Sequence, residues 1–187
     1  MTLSQLHTIA LVGAAVGVAA CSSSARTAPP ADVSFAGPQF VQLASAIDQF
    51  EIKSGRLALE RSQNPTVRSY AEQMIRDHTA SSSELKSVAA AEGKALPGMD
   101  PAHAQMLQQL QPLRGPQFDS AYMQMQLQAH REAFAIRQTY AKAGDDPQLR
   151  QLAMQSTPLV EKHLAELQTA WTNVPAAPAA SSAAPAR

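Results

Sequence analysis

Val67, Ala71, Met74, His78, Ser81, Leu85 and Val88 recur at alternating steps of four and three, the spacing that lines up one stripe of a long helix. Similar rows run through Phe40, Ala44, Ile47, Glu51 and Ala58, through Met123, Leu127 and Phe134, and through Leu149, Ala153, Val160 and Leu167. A helix with one apolar stripe is stable only when that stripe is buried against others like it, so the pattern predicts a bundle. Punctuation sets its boundaries. Asn64-Pro65 and Asp146-Pro147 each offer a capping residue followed by proline at the first helical position, and Gly93, Gly115 and Gly144 stand where helices should end. Four long helices are expected over 37–62, 65–92, 116–143 and 147–171, with a short one from Asp100-Pro101 to about Leu110 in the longer connection between the second and third. The short links make the first and last pairs antiparallel hairpins, and an up-down-up-down bundle follows most simply. "NPTVRSYA" at the start of the second helix is echoed by "DDPQLRQLA" at the start of the fourth, as common helix-opening chemistry or as a pseudo-twofold trace.

With 187 residues, 45% of them apolar, the chain can build one domain with a substantial core. Aromatic residues are only 5% of it, which favours helix over strand and predicts an all-α fold. Fifteen Lys and Arg balance fifteen Asp and Glu with no basic run, so neither nucleic acid nor an anionic lipid surface is an expected partner of the folded domain.

The two ends read differently from the middle. Ile9 to Ala20 is apolar but too short to span a bilayer, as in the core of a secretory signal, so residues 1–20 are expected to be a targeting segment. Val18-Ala19-Ala20-Cys21 resembles the lipobox of bacterial lipoproteins, which implies cleavage before Cys21 and a lipid on that residue. Residues 1–10 lack the usual Lys or Arg and offer only His7. A plain signal cut at Ala-x-Ala is the alternative, although Cys21 is the single cysteine of the chain. Ser22 resembles the outer-membrane sorting choice, so the expected location is the outer membrane, facing the periplasm. Residues 21–35 and 173–187, rich in Ala, Ser and Pro, are expected to be a tether and a tail around a domain at 36–172.

Each long helix places one titratable residue in its stripe: Glu51, His78, His130 and His163. Glu51 precedes Asn64 by 13 residues and His78 follows it by 14; His78 precedes Gly93 by 15 and His130 follows Gly115 by 15; His130 precedes Gly144 by 14 and His163 follows Asp146 by 17. At about 1.5 Å per residue these offsets agree within about one turn, so the four side chains can share a layer. Buried polar groups cost about 1–3 kcal/mol each when unpartnered, which favours convergence over dispersal. Two arrangements satisfy them: a transition-metal ion such as zinc, copper, iron, manganese or nickel, or a metal-free hydrogen-bonded network. Asp77, Glu132 and Glu161 lie within two residues of the histidines, as supporting carboxylates or as solvated charges. His103 falls outside the layer, and Met74, Met123 and Met154 are read as core filling rather than copper ligands.

"FVQLASAIDQFEIKSGRLAL", "NPTVRSYAEQMIRDHT", "FDSAYMQMQLQAHREAF" and "STPLVEKHLAEL", spread from Phe40 to Trp171, resemble the family of domain of unknown function 4142, found in exported bacterial proteins. That resemblance implies a ferritin-like four-helix fold and an envelope location, often under an outer-membrane label, and no assigned activity. The Glu-x-x-His pairs of di-iron ferritin-like proteins are missing, because Ile75, Leu127 and Val160 stand three residues before the histidines. Pro158 removes a backbone donor within the fourth helix and is expected to kink it. The leading expectation is a noncatalytic envelope lipoprotein binding one metal ion through Glu51, His78, His130 and His163. A structural or stress-related interaction protein with a polar network comes second. A metal-dependent oxidoreductase comes third, since no nucleophile–base or phosphate-loop motif is present.

Overall fold

The computed structural model describes residues 36–174, apart from 92 and 94. The expected signal segment, Cys21, the tether and the tail from residue 175 onward lie outside the described residues. Five helices make up the described chain: α1 (Gly37–Arg61), α2 (Pro65–Ala91), α3 (Pro101–Leu110), α4 (Gly115–Ala143) and α5 (Pro147–Trp171). The all-α bundle with a short extra helix is therefore as the stripes and caps predicted. Val174, just past the expected boundary, still packs on the core.

The caps act as the sequence suggested. Asn64 accepts from Thr66 N at 2.9 Å, Asp100 from Ala102 N at 2.8 Å and Asp146 from Gln148 N at 2.9 Å, each meeting an amide that a first helical turn leaves without a partner. Ala36 has no side chain to cap α1, and Asp145, 108 residues away, accepts from Gly37 N at 2.7 Å instead. Gly93, with φ of 67°, follows α2 in the left-handed region. Gly115 differs from expectation, opening α4 with a φ of 53° rather than closing the preceding helix.

Helix directions differ from the simplest expectation. One apolar cluster joins Ala58 near the end of α1, Val67 and Tyr70 at the start of α2, Phe118 and Tyr122 at the start of α4, and Leu167 near the end of α5. The opposite cluster joins Phe40 and Ala44 of α1, Leu85 and Ala89 of α2, Tyr140 of α4, and Leu149 and Ala153 of α5. Helices α2 and α4 therefore run parallel, and the order is up-down-down-up, not up-down-up-down. The connection between them climbs the bundle along α1. Pro97 O accepts from Ser45 Oγ and from Gln49 Nε2, both at 3.0 Å, the His103 ring lies 5.6 Å from that of Phe50, and Leu110 joins the cluster of Ala58. One long crossover is the connectivity of ferritin-like bundles. α1 packs on α2 and α4, and α5 packs on the same two, so α1 faces α5 only across the core.

Gly55 marks the tight crossing of α1 over α2. A Cβ placed there meets Ile75 Cγ1 at 2.9 Å and the Ala71 carbonyl oxygen at 3.2 Å. Gly55→Leu is expected to destabilise the protein by about 1–3 kcal/mol in urea unfolding, overriding the better helix propensity, because backbone as well as side chain must give way. An unchanged midpoint would refute this reading of the crossing.

Candidate metal centre

His78, His130 and His163 sit near the middle of α2, α4 and α5, so they share a layer whichever way each helix runs. The agreement in height thus survives the corrected topology. All three are buried, and one nitrogen from each lies within 4.8 Å of the others. Nε2 of His130 and Nδ1 of His163 are 3.3 Å apart.

The remaining nitrogens fix the tautomers. Nδ1 of His78 donates to Asp48 Oδ1 at 2.8 Å, Nδ1 of His130 to the Gln126 carbonyl at 2.9 Å, and Nε2 of His163 to Asp77 Oδ2 at 2.8 Å. An ionised carboxylate or a carbonyl can only accept, so each of these nitrogens carries its proton there. In the neutral form of each ring, what is left is a lone pair on Nε2 of His78, Nε2 of His130 and Nδ1 of His163. Nε2 of His78 has no hydrogen-bond partner among the described residues, and two lone pairs 3.3 Å apart cannot bond to each other.

Burial drives His130 well below the ordinary histidine range, with repulsion from His78 and His163 adding to it. His163 is lowered for the same first reason, against the opposing hydrogen bond of Asp77. Both are neutral at physiological pH, the state in which imidazole ligates a metal. Glu51 is also fully buried, and desolvation pushes its carboxyl up to about 7, opposed first by the charge of His78. Its Oε1 lies 3.4 Å from Nδ1 of His130, on the far side of that ring from the converging lone pairs. The side chain of Gln126 also opposes the rise.

Three of the four predicted residues therefore converge, with Glu51 packed against one of them. Of the flanking acids, Asp77 reaches a histidine of the centre. Glu132 faces His103 at 3.8 Å, and Glu161 is exposed. His103 is buried elsewhere, its Nδ1 donating to Asp100 at 2.6 Å. Met74 and Met123 are core residues, whereas Met154 is 62% exposed. Helix α5 runs uninterrupted through Pro158.

Sequence reasoning missed Asp48, Gln126 and Arg137. Asp48 is fully buried and accepts from His78, from Ser81 Oγ at 3.0 Å and from Arg137 Nη2 at 3.4 Å. Gln126 Nε2 donates to Ser54 Oγ at 3.1 Å. Their signal was opposite charge on two stripes: Asp48 precedes Glu51 by three residues and Arg137 follows His130 by seven. On α4 the buried face is centred on Gln126, Ala133 and Arg137, with Leu127 and Phe134 at its margins. The helix packs against α1, α3 and α5 at once, which widens its covered face beyond one heptad stripe.

A family described as a domain of unknown function (DUF4142) matches residues 22–170. Among solved structures, a DUF305 protein from Streptomyces coelicolor superposes with a TM-score of 0.63 at 14% identity, covering 73% of this chain and 91% of its own. CopM in its Cu(II)-bound form gives 0.63 at 18% identity, covering 75% and 98%. A DUF305 fragment from Deinococcus radiodurans gives 0.59 at 22% identity, covering 71% and 94%. No curated protein sequence matches significantly. At these identities the structural matches speak for the fold, and the residues of the centre have to speak for themselves.

Proposed function

The chain belongs to the DUF4142 family, and we propose that it is an envelope metal-binding protein holding one transition-metal ion through His78, His130 and His163. One observation carries this reading: His78, His130 and His163 each bring a buried nitrogen within 4.8 Å of the others, while one nitrogen of each ring is held by a protein acceptor. The residues fit such an ion. Nitrogens about 2.0–2.1 Å from a tetrahedral zinc are about 3.3 Å apart, and the His130–His163 pair already has that spacing at 3.3 Å. Asp48, the Gln126 carbonyl and Asp77 orient the rings as outer partners do in metal sites. When bound, the ion supplies the positive charge that the three lone pairs lack. Imidazole donors suit zinc, copper and iron better than manganese, and the fold relative in a Cu(II)-bound form makes copper a natural first trial beside zinc.

Protein purified from its native envelope should carry about one equivalent of metal per chain by elemental mass spectrometry, and His130→Ala should carry none. Equal loading of both proteins would defeat the assignment. The pH dependence follows from the directions above. Since His130 and His163 titrate below their usual 6.5, protons compete for them only in more acidic solution. The loss of affinity caused by protonating these two rings should therefore come below pH 6.5. A decline centred above 6.5, measured by competition with a chelating dye, would contradict the burial argument.

We propose further that Cys21 carries a lipid that ties the domain to the outer membrane. The apolar run before Cys21 and the serine after it support this reading. Cys21→Ser should move the protein from the membrane pellet to the soluble fraction, and an unchanged pellet would overturn it.

A further inference from the structure

The core of the centre is closed to solvent. His78, His130, His163, Glu51 and Asp48 each expose 3% or less of their surface. Asp77 differs: its side chain is 27% exposed, yet it holds Nε2 of His163 at 2.8 Å. Among the described residues that bond to the three rings, it is the one that also meets water. One turn earlier on α2, Gln73 donates to Glu166 Oε2 at 2.7 Å, and Glu166 follows His163 by three residues on α5. Two carboxylates, one of them paired with Lys162 at 3.1 Å, thus lie along the same α2–α5 seam. Deeper in the same layer, Nε2 of His78 is buried and has no hydrogen-bond partner among the described residues.

Helix α5 lacks one bond of its backbone ladder beside this seam. Pro158 lacks the N–H that would reach the Met154 carbonyl, five residues before His163. Beside it, Ser156 and Thr157 hydroxyls bond to the carbonyls of Leu152 and Ala153 at 2.9 and 2.7 Å, side-chain bonds that compete with the regular ladder.

We propose that Asp77 is the loading carboxylate of the centre. It captures a divalent cation from solvent at the α2–α5 seam and passes it to the His163 ring. A turn of that ring then brings the cation to His78 and His130. This rests on the metal-binding reading. It adds a route, and it gives Asp77 a kinetic role beyond fixing a tautomer. Before it takes the cation the ring turns its Nδ1 lone pair toward Asp77, breaking the hydrogen bond from Nε2 while keeping that N–H, so no proton is released as the cation exchanges water for carboxylate and then carboxylate for imidazole.

The test is stopped-flow loading of the full domain with cobalt(II), read by its visible absorption. Asp77→Asn keeps the size and an acceptor oxygen for His163 but loses the charge. The association rate should fall about tenfold, in the range by which charge steering alters on-rates. A port is used in both directions, so dissociation should slow as well rather than quicken. Added salt should slow the native protein more than the variant, because exposed charges are screened. Glu166→Gln, which touches none of the three histidines, should give a smaller fall in the same direction, and it decides the matter if Asp77→Asn does not fold. Faster dissociation with unchanged association would make Asp77 a positioning residue only and overturn the proposal. Identical rates in native protein and both variants would overturn the route while leaving the centre intact. Failure of the native protein to take up cobalt(II), zinc or copper would bring down the metal-binding reading and the route with it.

Discussion

Zinc or copper(II) at a hundredfold excess over its Kd should stabilise the native protein by about 2.7 kcal/mol, and His78→Leu should lose most of that gain. The size follows from linkage: an ion bound by the folded state and not by the unfolded chain adds RT ln(1 + [L]/Kd) to the unfolding free energy. His78 is the informative position because its Nε2 is buried without a partner among the described residues. Without metal, leucine removes an unsatisfied polar atom, although it also strips Asp48 of one donor. The metal-free variant should therefore differ from the native protein by less than the metal effect itself. Thermal unfolding of both proteins, with and without each ion, separates the readings. A native melting temperature indifferent to metal would favour the hydrogen-bonded network. Equal shifts in native protein and variant would move the binding site away from this layer.

Removing Arg137 should cost about 3–5 kcal/mol even without metal. Its guanidinium is 3% exposed and lies 3.4 Å from the fully buried Asp48. Arg137→Met leaves that carboxylate with His78 and Ser81 as its donors and no permanent cation beside it. A carboxylate buried without a balancing charge is expensive, whereas an apolar pair of similar volume can be as stable as the ion pair. Asp48→Leu combined with Arg137→Met is therefore expected to recover much of the loss in urea unfolding while weakening metal binding, because His78 then lacks the acceptor that fixes its tautomer. A double variant no more stable than Arg137→Met alone would show that the pair contributes through packing rather than charge.

Local rules carried the sequence reading a long way. Caps and prolines act over one turn, so Asn64, Asp100 and Asp146 located three helix starts within a residue. Stripe spacing is likewise a property of a single helix, and it singled out the three histidines that meet. Mid-helix residues of helices with similar length fall in one layer regardless of direction, which is why that expectation held although the assumed directions of α4 and α5 did not.

The remaining features depend on which helices touch, and no single stripe encodes that. Helix order follows from where the connection through α3 packs, along Ser45, Gln49 and Phe50 of α1, and its length alone fits a return or a crossover. The Asp145 cap on Gly37 spans 108 residues and exists only because the two ends meet. Asp48 and Arg137 looked like ordinary helix charges until packing against α2 and between α1 and α5 closed water off from them. Tertiary geometry likewise set the Glu51 carboxylate against Nδ1 of His130, a placement that no stripe encodes. The amino-acid sequence alone determined the helices, their stripes and the layer of imidazoles, because those rest on interactions within a turn or two. Tertiary structure decided the crossover, the outer partners of each ring and the partial exposure of Asp77, because burial and charge pairing depend on neighbours distant in the chain.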